Sequence, residues 1–347
     1  MNIKEAIELF VNNKNISKTD TSKIMYQIMN DEITPAQFGA FVTALRMKGE
    51  TPEEIAGMVE TMRTLSLRVT TKLPVIDTCG TGGDGKGWFN ISTAVAFVVA
   101  GVGIPVAKHG NRAMSGSTGS ADVLERLGVT ISLDAINVKK CIEKIGIGFM
   151  FAQIFHPSMK FAGPLRPQIG IRTIFNLLGP LTNPASVKRQ VIGAANIDNA
   201  EKIAKTLRIL KTEHSLVVNS ISGADEIDIE GDTTLFQVNK NNVKRRRTRA
   251  SDFGLPEGKR SHLITKSSEE SAEIIKKIFD GAGAEKNNLS SPETSRRNCV
   301  IINAASAIYI SGFSNSFQDA AIIAADSIDS GAAKHKLNKL IEISSTQ

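Results

Sequence analysis

Residues 75–93 read VIDTCGTGGDGKGWFNIST. Five glycines, at 80, 82, 83, 85 and 87, fall within eight positions. The apolar pair Val75-Ile76 precedes them and a long apolar run follows. A glycine-rich turn from a strand into a helix suits an anion. Backbone N–H groups there point outward, and the helix N-terminus carries partial positive charge. The stretch therefore reads as strand, phosphate-holding turn and helix, the unit from which α/β sheets are built.

Two familiar phosphate loops nearly fit. Gly80, Gly82 and Gly85 match G-x-G-x-x-G, but a dinucleotide fold also needs an acid about 20 residues later for the ribose hydroxyls. No Asp or Glu occurs between Gly85 and Ala121, and Lys108 and His109 stand where that acid belongs. Gly80, Gly85 and Lys86 match most of a P-loop, but Gly87 replaces the Ser or Thr that binds magnesium. What remains is a longer anion cradle, in which glycines turn backbone N–H groups toward a ligand. Asn90, Ser92 and Thr93 stand at the start of the next helix, to cap it or to bind anion oxygens. Five glycines with Asp84 among them exceed what a plain capped turn needs.

A second cluster, KHGNRAMSGSTGSADVLE at 108–125, follows the next expected strand. Lys108, His109, Asn111 and Arg112 lie where the sites of α/β proteins gather, at strand C-termini. Ser120 leads a further helix N-terminus, which makes a second cradle. Two cradles at neighbouring strand ends suit a ligand with two separated phosphates. The third cluster, SGADEIDIE, pairs Asp225 with Glu226. In an extended strand they point opposite ways, whereas in a turn both reach one ligand. A diphosphate brings Mg²⁺, which takes a few carboxylates plus phosphate oxygens. A polar surface turn is the plain alternative for this pair.

Around these clusters, residues 1–66 read as helices only. Thr51, Pro52 and Glu54 form a capping box, with Ile55, Met58, Val59 and Met62 as one apolar stripe. From about residue 73 the rhythm becomes strand, turn, helix, with strands at PVIDTC, IPVAKHG, GFMFAQ, QVIGA, HSLVVNS and TLFQV. The expected organisation is a helical domain over 1–66, completed by a crossover at 163–185, and an α/β domain over 73–162 and 186–347. Its central sheet is expected to be mainly parallel. The C-terminal third offers two helices, SEESAEIIKKIFDG and SFQDAAIIAADSIDSG.

The chain has 347 residues, 41% of them hydrophobic, and a formal charge of +7. The longest apolar run, at 93–107, is too short and glycine-rich to span a bilayer. With no signal-peptide core at the start, a cytoplasmic protein without membrane association is expected. Cys79, Cys141 and Cys299 form neither a zinc pattern nor a disulfide framework. The basic run VKRRRTRA reads as a solvated loop or edge strand. Nucleic-acid binding would call for interleaved aromatics, and aromatic content is only 5%.

Together, DTCGTGGDG, FNIST, AKHGNR, GSADVLE, FAQIFHPSMK, GIRTIFNLLGPLTNPA and ADEID resemble the anthranilate phosphoribosyltransferase family. SDFGLP and INAASAIYISG near the end are similar to it too, so the resemblance covers almost the whole chain. It implies the fold shared by nucleoside phosphorylases and such phosphoribosyltransferases, and a homodimer joined through the helical domain. It also implies transfer of a phosphoribosyl group from 5-phosphoribosyl 1-pyrophosphate to anthranilate, a step toward tryptophan. By this resemblance, Gly80, Gly83, Asp84, Asn90, Ser92, Thr93, Lys108 and Ser120 hold the phosphoribosyl pyrophosphate. Ser92, Asp225 and Glu226 bind Mg²⁺. Asn111 and Arg166 meet the anthranilate carboxylate, with His109, His156 and the Gly179-Pro180 turn lining its access channel. Lys108, Arg166 and His109 are the residues expected to serve catalysis, and the proton acceptor stays open between His109 and His156.

Two positions depart from the family pattern. Trp88 stands where a Thr is common, and Ser117 where a Lys is common. Altered affinity for phosphoribosyl pyrophosphate is the expectation. The rival reading is a pyrimidine nucleoside phosphorylase of the same fold. Arg166 and the paired Asp225 and Glu226 speak for the transferase.

Overall fold

A computed structural model describes residues 1–113, 118–284 and 291–346. Ser117 lies outside the described residues. Among these, seven strands form one sheet: β1 (Ile76–Gly80), β2 (Val106–Gly110), β3 (Ile147–Phe151), β4 (Arg189–Gly193), β5 (His214–Ser220), β6 (Thr233–Asn239) and β7 (Val243–Thr248). Their order is β3-β2-β1-β4-β5-β6-β7, with the first five parallel and β6 and β7 antiparallel. The chain winds outward from β1 to β3, then returns to place β4 on the other side of β1. In an open α/β sheet, a ligand crevice opens at such a reversal, beyond the strand C-termini. The glycine run leaves β1 at that point.

Four helices, Ile3–Val11, Lys18–Met29, Pro35–Lys48 and Pro52–Leu65, precede the sheet. Thr51 caps the fourth: its hydroxyl accepts the Glu54 N–H at 3.2 Å, and Glu54 accepts the Thr51 N–H at 2.8 Å. Glu54 is fully buried and pairs with Lys48 at 2.9 Å, while its other oxygen accepts the Ile16 N–H at 3.0 Å. The expected stripe of Ile55, Met58, Val59 and Met62 is buried.

The crossover forms helices Leu165–Ile169 and Phe175–Leu181. Ile174, Phe175, Leu177 and Leu178 pack into the apolar core of the bundle. That core continues through helix Ile197–Ile209 onto Ile192, Val217 and Phe236 of the sheet. Arg63, at the end of the fourth helix, donates through Nε to the Leu181 carbonyl at 2.7 Å.

The C-terminal third differs from its sequence reading. Besides Ser268–Phe279 and Phe317–Asp329 it contains Pro292–Ser311 and Ala332–Ser345. The helix Pro292–Ser311 is buried on nearly every side, with Arg297, Asn298 and Asn303 buried beside its apolar residues, so its sequence shows little amphipathic period to read. GFMFAQ is a strand only to Phe151, with a helical turn at Ala152–Phe155. The basic run is the edge strand β7. Arg246 lies 4.7 Å over the Phe317 ring, and Arg249 pairs with Asp232 at 2.6 Å. No described helix is long and apolar enough to cross a membrane.

Candidate active site

The site forms where β1 and β4 end. The Thr81 N–H donates to the Gly193 carbonyl at 2.9 Å, extending the β1–β4 ladder into the glycine loop. A side chain at Gly80 would collide with the Asp225 carboxylate, and one at Gly193 with its backbone carbonyl. Close approach therefore demands glycine at both strand ends. It lets Asp225 sit in the switch-point crevice, where its Oδ2 accepts the Gly82 N–H at 2.8 Å.

Asp84 closes the same group. One of its oxygens accepts the Lys86 N–H at 3.1 Å and the other the Asp225 N–H at 3.4 Å. Burial and the neighbouring Asp84 push the Asp225 carboxyl up to about 7. Burial and Asp225 likewise raise Glu226, against the pull of Lys108. Crowded carboxylates, with Asp84 raising Asp225 and both raising Glu226, favour a cation among them. No group of three His, Cys, Asp or Glu able to hold a metal exists among the described residues. Mg²⁺ bound through one or two carboxylates plus substrate phosphates needs no such cage, so the residues present fit it.

Lys108 approaches from β2. Its buried ammonium donates to the Thr78 carbonyl at 2.7 Å and the Ser92 hydroxyl at 3.2 Å. Thr78 in turn donates to the Ser92 carbonyl at 3.1 Å. Ser92 lies in the first turn of helix Ile91–Gly101. Asn90 caps that helix by accepting from the Thr93 N–H at 3.1 Å and from its hydroxyl. Lys108, Ser92, Glu226, Asp225, Asp84 and Gly80 are thus linked at the ends of β1 and β4, with Gly83 in the adjoining loop and Asn90 and the fully buried Thr93 in the cap of the helix behind. Asp77, deep in β1 beside Lys108, accepts from Asn183 Nδ2 at 2.7 Å. Burial raises its carboxyl, and Lys108 opposes that shift.

The second cradle is only partly as expected. Asn111 and Ser120 come together: the Ser120 hydroxyl donates to the Asn111 carbonyl at 3.4 Å. Arg112 turns away from the crevice. It pairs with Asp122 at 2.9 Å and Glu125 at 2.5 Å, and lies 5.5 Å over the Phe151 ring. Asp122 in the first turn of helix Ser120–Arg126 and Glu125 in its last turn take up its charge.

His109 faces away from Lys108, as strand alternation requires. Burial and the neighbouring His156 push it down to about 3, and burial pushes His156 down to about 4. His109 hydrogen-bonds the backbone of Gly179 and His156 that of Thr182. Both histidines therefore stand against the C-terminal end of helix Phe175–Leu181, where Gly179 and Pro180 lie inside the helix rather than in the expected turn. Arg166 is half-buried on the crossover, 5.7 Å over the Phe175 ring, and burial lowers its pKa. No contact among the described residues joins it to Asn111 or the histidines.

Trp88 pairs with a segment from the C-terminal third. It bridges Ile264, flanked by Phe89 N–H to Leu263 and Thr265 N–H to Gly87, both at 2.8 Å. Its half-buried ring packs on the large core. Sequence reasoning missed three supporting residues. Asn183 holds Asp77, and Asn303 accepts the Ile227 N–H at 2.9 Å while donating to its carbonyl at 3.0 Å. Arg172 grips the glycine loop. Asp77 itself, an acid inside an apolar strand, was the one visible signal of this support.

Residues 4–66 match the helical bundle domain of a glycosyl transferase family, and residues 72–334 match its α/β domain. An anthranilate phosphoribosyltransferase of Herpetosiphon aurantiacus is 48% identical over 99% of each chain. One of Dehalococcoides mccartyi is 46% identical over 99% of this chain and 98% of its own. Among solved structures, the Thermus thermophilus anthranilate phosphoribosyltransferase superposes with a TM-score of 0.90 at 33% identity, covering 98% of this chain and 99% of that one. The Saccharomyces cerevisiae enzyme in complex with PRPP and Mg superposes with a TM-score of 0.89 at 26% identity, covering 99% and 98%. With the crevice, its paired carboxylates and its lysine at the same switch point, the chain belongs to the anthranilate phosphoribosyltransferase family.

Proposed function

We propose that the protein transfers the phosphoribosyl group of 5-phosphoribosyl 1-pyrophosphate to the amine of anthranilate, releasing pyrophosphate, as a step of tryptophan biosynthesis. The observation that carries this reading is the seating of Asp225 on the glycine loop, with Glu226, Lys108 and Ser92 around the same crevice. Loop N–H groups and Lys108 stabilise the negative charge that builds on the leaving pyrophosphate. Mg²⁺ held by Asp225, Glu226 and Ser92 would neutralise further phosphate charge. Asn90, Thr93 and Ser120 bind the remaining polar oxygens of the sugar phosphate.

Anthranilate's aryl amine is neutral near pH 7 and needs no deprotonation before attack. Two neutral, weakly basic histidines therefore suit the lining of its channel better than proton acceptance. Arg166 carries a cation with no carboxylate partner among the described residues, which suits the anthranilate carboxylate. Asn111 would share that contact. A nucleoside phosphorylase leaves this cation unexplained.

The test is anthranilate fluorescence on addition of phosphoribosyl pyrophosphate and Mg²⁺. Its loss, dependent on all three components, is expected. Unchanged fluorescence alongside phosphorolysis of thymidine or uridine overturns the reading. We place the protein in the cytoplasm as a homodimer joined through the helical domain, whose Val11, Tyr26 and Met47 are exposed apolar side chains. Sedimentation gives the oligomeric state.

A further inference from the structure

We propose that Arg172 is a positioning residue for pyrophosphate. It acts by fixing the peptide planes of the glycine loop from the far side of the ligand. The inference rests on the transferase reading above and assigns a role that neither the glycine loop nor the crossover reveals alone.

Arg172 belongs to the crossover, between helices Leu165–Ile169 and Phe175–Leu181. Its guanidinium reaches the loop after β1. Nη1 donates to the Gly83 carbonyl at 2.5 Å and Nη2 to the Gly82 carbonyl at 3.1 Å. One planar fork therefore holds two successive carbonyls, a geometry that a guanidinium offers and an ammonium does not. Among the described residues no acid pairs with Arg172, so its charge stays beside the loop.

In a trans peptide the carbonyl of one residue and the N–H of the next point in opposite directions. Holding the Gly82 and Gly83 carbonyls therefore turns the N–H groups of Gly83 and Asp84 away from Arg172. Neither N–H donates to a protein acceptor among the described residues. The preceding Gly82 N–H is held by Asp225. The loop is thus fixed on both sides, with two oriented and unused donors between its anchors, next to the paired carboxylates. That is the arrangement an anion nest requires.

Gly83 supports this independently. Its φ is +69°, and a Cβ there would stand 2.8 Å from Arg172 Nη1. The backbone conformation favours glycine at this position, and a side chain there would push the guanidinium aside.

The crossover also carries Arg166, six positions earlier. Arg172 therefore links the segment expected to hold the anthranilate carboxylate to the loop expected to hold the pyrophosphate.

The test compares Arg172→Met and Arg172→Lys with the unaltered protein. Measurements are steady-state kinetics, titration calorimetry with inorganic pyrophosphate and Mg²⁺, and thermal unfolding. Loss of the fork should raise KM for phosphoribosyl pyrophosphate and Kd for pyrophosphate about tenfold in Arg172→Met, the equivalent of one charge-assisted hydrogen bond. At saturating phosphoribosyl pyrophosphate, kcat should fall as well, because the same N–H groups face the charge that builds on the leaving pyrophosphate, while the KM for anthranilate should stay within about twofold. Arg172→Lys should recover part of the pyrophosphate affinity. Unchanged KM and Kd, or a loss confined to thermal stability, overturns the proposal. An unaltered protein that binds pyrophosphate but turns over no anthranilate rejects the transferase reading instead, and leaves the calorimetric comparison to judge Arg172.

Discussion

The imidazoles of His109 and His156 stand 5.1 Å apart at 56°, each with a buried Nε2 that has no hydrogen-bond partner among the described residues. Burial holds them at about 3 and about 4, below the unfolded value of about 6.5. Both rings are neutral throughout the physiological range. The pH profile of kcat is expected to show no histidine step between pH 6 and 8. Below the unfolded value, the unfolded chain binds protons that the folded chain refuses. The stabilisation is complete above about pH 6.5 and is lost as pH falls toward the folded values, by at most about 1.4 kcal/mol per ring per pH unit. Thermal unfolding at pH 7.5 and pH 5 checks this. His156→Leu should lose less stability on acidification, and an equal loss would count against the assignment.

Asp225 connects the carboxylate pair to the glycine loop through Gly82. Asp225→Asn removes a charge without changing size. Its activity should fall on the order of 10²-fold, as for loss of one element of charge stabilisation, and the Mg²⁺ needed for half-activation should rise. Rates measured against free Mg²⁺ test both. A simple drop in rate with the same Mg²⁺ dependence argues against a metal role.

Glu54 lies in the bundle, away from the crevice, and its carboxylate serves Lys48, Ile16 and Thr51 together. Glu54→Ala leaves the buried Lys48 ammonium without its counter-charge. Destabilisation of about 3–5 kcal/mol is expected from breaking one side of a buried pair. Urea unfolding measures it, while KM values of the folded fraction should hold.

Trp88→Thr restores the hydroxyl common in the family and removes a ring that packs on the core. KM for phosphoribosyl pyrophosphate is expected to shift, with the reaction kept. Stability should fall by about 1–3 kcal/mol, less than for a fully buried tryptophan. If KM and kcat are both unmoved, the ring has no bearing on phosphate binding.

Much of this architecture was legible because its signals are local. Glycine spacing at 80–87, the Thr51-Pro52-Glu54 cap and the alternation of apolar runs each involve neighbours in sequence. The long helix Pro292–Ser311 escaped because burial on all sides removes the polar face that reveals a helix. The ion pairs of Arg112 were not legible because its partners, Asp122 and Glu125, lie one helix further on. Asn303 and Arg172 act on backbone atoms 76 and 89 positions away. A hydrogen bond to a peptide carbonyl leaves no mark on the identity of the residue that owns it.

Lys108 and His109 are neighbours in β2, yet one reaches Thr78 and Ser92 while the other meets His156 and the Gly179 backbone. The sheet is therefore a partition. A charged compartment lies on one side of a single strand and an uncharged one on the other, separated by the thickness of a backbone. Inserting or deleting one residue in β2 would exchange the two compartments, placing the ammonium among neutral rings and an imidazole against the phosphate. Such an indel damages both halves of the site at once, where a point substitution damages only one.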